Sequence, residues 1–290
     1  MHDPKMTVTL NDPTPQPTFV LPGTKVLLMG YAGTGKTHSI GTLVETGIHV
    51  YYLDLEQGLE ALLGFWRDRG KPVPPNLSWH VVEKRKSGLA ALKKSAHDVG
   101  SLSFKALSAQ IGMNRDKENR FELIIDLLAN FVDQRTGKAI GDLSELGPDS
   151  AIVIDGQSGL CQAAMRMCAG NSMLKDKKEY GLAQANFMGL TREVVSWPAH
   201  VIMIAHVSRE VDPNASGVKL FPKTGIGTAL NGELNQEYSD VILVERRGDK
   251  FSWATASDIA DTKTRNLPLR NDLAPDFGQI VSRWEKRQEV

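Results

Sequence analysis

The sequence predicts an α/β fold, a doubly wound and mainly parallel sheet with helices on both faces. Three observations predict it. From Lys25 on, short apolar runs alternate with helical stretches. Most of those runs are nearly continuous in apolar residues, as strands buried on both faces must be. The first run leads straight into a glycine-rich loop and a helical stretch, residues 30 to 37 reading Gly-Tyr-Ala-Gly-Thr-Gly-Lys-Thr.

Residues 1–20 carry Pro4, Pro13, Pro15 and Pro17 and read as an extended arm. Residues 21–290 read as one core. Its strands are expected at Val26–Met29, His49–Leu53, Ala151–Ile154, His200–Ala205 and Val241–Val244, with Phe251–Thr255 as a later hairpin strand. Thr37–Val44 continues the glycine loop as a helix. Residues of about 76–148 are too many for a plain crossover. They read as a mostly helical insertion, with helices at Ser87–Asp98 and Phe121–Gln134. The basic segment Lys84-Arg85-Lys86, with Lys93 and Lys94, is either a solvated helix face or a contact patch. Gly and Pro between Asp212 and Gly232 mark a long irregular loop.

Composition narrows the function. Of 290 residues 41% are hydrophobic, enough for a full core, so global disorder is excluded. Lys+Arg and Asp+Glu both total 34, so no whole-protein basic field exists and any nucleic-acid contact must be local. No apolar stretch approaches the roughly 20 residues of a membrane helix. The arm has no signal-peptide core. The two cysteines, Cys161 and Cys168, read as reduced thiols rather than a disulfide or metal pair. A cytoplasmic protein is expected.

The glycine string has the G-x-x-x-x-G-K-T pattern of a phosphate loop, and strand, loop and helix are the context that pattern needs. Gly30, Gly33 and Gly35 let successive N–H groups face one anion-sized hollow. Tyr31, Ala32 and Thr34 complete the loop, and His38 follows it. The helix adds its positive end. Lys36 supplies a charge for the β- and γ-phosphates, and the Thr37 hydroxyl is a candidate Mg²⁺ ligand. Ala151–Ile154 is apolar up to Asp155, the candidate second metal residue at the strand end where such sheets bind ligands. No acid follows it. The water-activating group is sought instead at the end of the second strand, where Asp54 and Glu56 stand. Glu56 is the candidate base and Asp54 the runner-up. The alternative is that both cap the next helix. His206 ends the fourth strand, either near the γ-phosphate or simply packed on the sheet edge. Kinase chemistry is disfavoured, since Arg166 and Arg192 form no lid-like cluster. GTP specificity is disfavoured because no Asn/Thr-Lys-x-Asp motif follows a strand.

Together these features resemble the RecA-like branch of P-loop ATPases, in which the catalytic Glu follows the second core strand and a polar residue ends the fourth. More narrowly the chain resembles the short RecA-like proteins of bacteriophages, core-only recombinases or annealing ATPases. The carrying residues are Gly30–Thr37, Leu53–Gly58, Ile152–Gly156, Ile204–His206 and Lys263–Pro268, within a span of about Leu21 to Phe277. The helical insertion departs from that pattern.

The resemblance implies ATP as the nucleotide and single-stranded DNA as the target. It implies a homo-oligomer with ATP sites between subunits, and phage or host replication and recombination proteins as partners. The segment after Gly156 and the loop of about Val207 to Leu230 would contact DNA, the latter through Arg209, Lys219, Lys223 and the aromatic Phe221. Lys263 and Arg265 would reach a neighbour's γ-phosphate. Each has a plainer reading, a mobile loop and a surface basic pair. Two other functions stay open: a nucleotide-gated interaction protein with slow hydrolysis, and a motor-type ATPase.

Overall fold

The structure is a computed structural model that describes residues 20–83, 88–101, 103, 119–170, 175–211 and 217–289. The proline-rich arm up to residue 19 and Lys84-Arg85-Lys86 lie outside the described residues. Eight strands form one sheet in the order β10-β9-β1-β7-β6-β2-β3, with β8 paired to β7. The members are β1 (Lys25–Gly30), β2 (His49–Asp54), β3 (Leu77–Val81), β6 (Ser150–Asp155), β7 (His200–Val211), β8 (Val218–Pro222), β9 (Asp240–Arg247) and β10 (Lys250–Ala254). The pairs β1–β7, β1–β9, β6–β7, β2–β6 and β2–β3 are parallel. Among the described residues of this sheet, β10 on β9 and β8 on β7 run antiparallel. A two-stranded ribbon, β4 (Phe131–Val132) with β5 (Ala139–Gly141), stands apart.

Strand alternation sorts the core into two layers. Leu27, Met29, Ile152, Ile154, Val201 and Met203 face one layer. Three helices close it: α4 (Arg120–Ala129), α5 (Gln157–Ala169) and α6 (Lys177–Ser196). Val26, Leu28, Val50, Tyr52, Val153 and Ile202 face the other. That layer is closed by α1 (Lys36–Glu45), α2 (Leu59–Arg67) and, past the short α7 (Glu233–Gln236), α8 (Gly278–Gln288). The expected doubly wound, mainly parallel α/β sheet is therefore the observed one.

Three expectations need correction. The stretch from residue 76 to 148 contributes β3, an edge strand of the main sheet, besides α3 (Gly88–Ser101), α4 and the ribbon. Its Leu-Ser-Trp-His-Val string alternates like a half-covered edge strand, not like the continuous runs of the centre. The helix expected over Phe121–Gln134 stops at Ala129, because Phe131 and Val132 pair with β5. The loop expected from Asp212 to Gly232 contains β8, in register with an extended β7 from Val207↔Pro222 to Val211↔Val218. Lys93 is exposed on α3. Cys161 is buried and Cys168 half-buried, both on α5 and neither in a disulfide.

Candidate active site

Strand register brings the functional residues to one edge. Gly30 pairs with His206 and with Val244, Asp54 pairs with Asp155, and Asp155 pairs with Ile204. The carboxyl ends of β1, β6 and β2 thus meet His206 beside the start of α1; β7 runs on to Val211 to pair with β8, so His206 lies within its strand and does not end it as expected. The cleft there measures about 870 Å³ and is lined by the loop from Ala32 to His38 together with Glu56, Asp155 and His206.

The loop needs its glycines for two different reasons. Gly33 (φ 72°) and Gly35 (φ 86°) are left-handed, where a side chain is strained. Gly30 is not left-handed: a Cβ there would lie 2.5 Å from the Val244 carbonyl oxygen. Close approach to β9, not an unusual φ, requires it. Thr34 ties the loop by donating its hydroxyl to the Tyr31 carbonyl at 2.8 Å. Lys36 is buried and donates to the carbonyls of Gly30 at 2.8 Å and Tyr31 at 2.7 Å. Burial lowers its pKa to about 8, while Asp155 and Glu56 pull it back up.

Asp155 is 4% exposed, and its Oδ2 accepts from the Thr37 hydroxyl at 2.7 Å and from the Tyr52 hydroxyl at 2.5 Å. Burial holds its carboxyl above the usual range, against the pull of those two hydrogen bonds. Among the described residues no group of three or more His, Cys, Asp or Glu gathers to hold a metal alone. A hydroxyl oxygen and a carboxylate beside a phosphate loop form a hard-oxygen pair that fits Mg²⁺, an ion usually bound by one or two protein groups plus phosphates and water.

The turn after β2 separates the two acids. Asp54 is fully buried, and its carboxylate accepts the backbone N–H groups of Glu56 at 3.0 Å, Gly58 at 2.9 Å and Leu59 at 2.9 Å. Asp54 therefore holds the Glu56–Leu59 turn and the first N–H of α2, and does not line the cleft. Gln57 is the one non-glycine residue with positive φ (68°) among the described residues, and this strained turn throws Glu56 over the sheet edge. Glu56 Oε1 accepts from the Gly159 N–H at 3.2 Å, and Oε2 lies 3.1 Å from His206 Nε2. Gly156 is needed here too, since a Cβ on it would lie 2.6 Å from Glu56 Cγ. Glu56 and His206, expected separately, stand as a pair.

The remaining sequence candidates lie elsewhere. Phe221 is 5% exposed and packs inward from β8, so it presents no stacking surface. Lys219 is paired with Asp261 at 3.1 Å. Lys223 is exposed, and its backbone N–H donates to the His206 carbonyl at 2.7 Å. Arg209 donates to the Tyr31 hydroxyl at 2.7 Å. Arg209 and Tyr31, but not Lys223, line a second cleft, of about 880 Å³, on the outer flank of the loop. Lys263 and Arg265 sit at the opposite sheet edge. Lys263 bridges Val241 near the start of β9, donates to the Gln236 carbonyl at 3.2 Å, and has its pKa lowered by burial and then by Arg265. Neither lines the loop cleft.

Sequence reasoning missed the walls of the cleft. Phe251 lies against Gly35, where a Cβ would be 3.1 Å from its ring, and Arg69 covers Phe65 at 3.8 Å on the other side. The turn residues Asp249 and Lys250, with Pro275, complete the lining. Tyr52 and Gly58 were missed as well. A tyrosine in an apolar strand reads as β-propensity alone, whereas Gly58 directly after the Glu56 turn was a usable signal.

Comparison with known proteins agrees with this geometry. A family model described as the AAA domain matches residues 22–265, which spans β1 through the segment after β10. No curated protein matches the chain. The chain belongs to the AAA domain family, nucleotide-binding proteins of the P-loop ATPase type.

Proposed function

We propose that the chain binds ATP with Mg²⁺ at this sheet edge and hydrolyses it, as a RecA-like protein acting on single-stranded DNA in phage recombination or replication. One observation carries the hydrolytic part: Lys36, the Thr37–Asp155 pair and the Glu56–His206 pair converge on one cleft. The loop amides and Lys36 bind and orient the phosphates, Lys36 exchanging its two carbonyl partners for them. Mg²⁺, held by Thr37 and Asp155, supplies charge neutralisation at the phosphates when bound. Glu56 takes the proton of the attacking water. The Gly159 N–H and His206 keep its carboxylate aimed. Glu56→Gln should lower kcat by about 10²–10⁴-fold and leave ATP affinity within about twofold. Unchanged turnover rejects Glu56 as the base.

The DNA part rests on resemblance and on one surface. Tyr31 is exposed and carries Arg209 beside it, an aromatic and a cation of the kind that stacks bases. It replaces Phe221 in that role. Lys263 and Arg265 lie away from the chain's own cleft, which supports a homo-oligomer in which they would act at a neighbouring subunit's γ-phosphate. The second reading, a nucleotide-gated protein-interaction ATPase, is favoured by the zero net charge and by the pairing of Lys219 with Asp261. The ATPase rate with and without single-stranded DNA separates them. Stimulation that falls with salt supports the DNA reading, and a flat response supports the partner reading.

A further inference from the structure

We propose that Tyr52 is a positioning residue for the metal-binding carboxylate, its hydroxyl fixing Asp155 Oδ2 from beneath the nucleotide cleft. The inference rests on the ATP–Mg²⁺ reading above and adds a residue that neither the loop motif nor the family match marks.

Tyr52 lies on β2 opposite Val153 of β6, two residues before the Asp54–Asp155 pair. Its side chain is fully buried in the layer under α1 and α2. The hydroxyl donates to Asp155 Oδ2 at 2.5 Å, with the Thr37 hydroxyl also close enough to interact with it. A phenylalanine would fill the same space without the cost of burying a hydroxyl, so the oxygen is what distinguishes this position. Tyr52 does not line the cleft, so it acts through Asp155 and not on a ligand.

Thr37 and Tyr52 donate to the same carboxylate oxygen from two different elements, α1 and β2. Thr37 belongs to the loop and faces the cleft. Tyr52 belongs to the rigid sheet. A carboxylate held only from the loop side would be free to rotate whenever the Thr37 hydroxyl changes partner. Tyr52 supplies the contact that does not depend on the loop. Gly58 closes the arrangement, since a Cβ on it would lie 2.6 Å from Asp155 Oδ2 and 2.8 Å from the Tyr52 hydroxyl. The α2 N-terminus therefore roofs the Tyr52–Asp155 pair with bare backbone.

The test uses the full chain with Tyr52→Phe, and Gly58→Ala as a second variant that presses on the same two oxygens. ADP affinity is measured in EDTA, then Mn²⁺ binding to the ADP complex is followed by the signal of the free ion. Losing a hydrogen bond to a charged group should raise the Mn²⁺ half-saturation about tenfold in either variant, with metal-free ADP affinity within about twofold of the parent. A merely structural role would shift the melting temperature and leave that split unchanged. An unchanged Mn²⁺ half-saturation in either folded variant, with ADP still bound, overturns the role of Tyr52 alone. Absence of ADP binding in the parent chain overturns the nucleotide reading, and the Tyr52 role with it.

Discussion

Two buried aspartates stand at opposite edges of the sheet, and they are wired differently. Asp240 opens β9 and is fully buried. Its carboxylate accepts from the hydroxyls of Ser239 at 2.7 Å and Thr264 at 2.7 Å, the Asn266 amide at 2.6 Å, and the backbone N–H groups of Arg265 at 2.9 Å and Asn266 at 3.0 Å. Asp155 closes β6 and is nearly as buried, yet among the described residues its carboxylate accepts from Tyr52 and Thr37 alone, both at one oxygen, with Lys36 close enough to feel its charge. A carboxylate whose acceptor sites are filled by neutral donors is a staple. One left under-supplied in a cleft is poised to take a cation. Asp54, filled by three backbone N–H groups, belongs with Asp240, although it lies two residues from Glu56.

The sharpest way to break this contrast is to neutralise Asp155. Asp155→Asn should reduce ATP turnover on the order of 100-fold or more, since charge at the phosphates goes uncompensated. Folding stability at neutral pH should not fall. The carboxyl of Asp155 is raised by burial, so what it contributes to stability is present below the ordinary value of 3.8 and is lost as pH rises through the raised folded value. At neutral pH its charge is a cost that Asn removes. A large drop in melting temperature would place Asp155 with the staples. The converse is Asp240→Ala, which orphans several buried donors and should destabilise the fold by about 3 kcal/mol or more in urea melts, with kcat per folded molecule unchanged.

A third test concerns the same far edge. His200 accepts from the Thr24 N–H at 3.0 Å, and burial, then the charge of Lys25, holds it down to about 4 from an ordinary 6.5. A group depressed in the folded state contributes stability above 6.5 that is lost as pH falls towards 4. Urea melts should therefore lose roughly 3 kcal/mol over that window, and His200→Asn should flatten the loss. The smallest expected effect is at the cleft wall. Phe251→Ala should weaken nucleotide binding by about 3- to 10-fold, the worth of one aromatic contact, with no change in melting temperature beyond a few degrees.

What was legible in the chain follows the same division. Strands β1, β2, β6 and β9 announce themselves because a doubly covered strand must be apolar throughout, and the phosphate loop does so because its residue types are set by close backbone approach. The placement of Glu56 at the cleft was legible from its position after a strand end. β3 and β8 were not, because an edge strand and a hairpin arm need only alternate, and Lys219-Leu220-Phe221 reads equally as loop. The tail Lys263–Pro268 shows its cations in the sequence. Its firmest feature is Thr264-Arg265-Asn266 wrapped on Asp240, a contact 24 to 26 residues away in sequence that no local pattern reveals.

The most direct test of the whole account is equilibrium dialysis of the folded chain against a labelled, non-hydrolysable ATP analogue with Mg²⁺. Saturable binding of one nucleotide per chain is expected, weakened at least tenfold by Lys36→Ala and unaffected by Lys263→Ala in the unassembled chain. No saturable binding, or binding indifferent to Lys36, would contradict it.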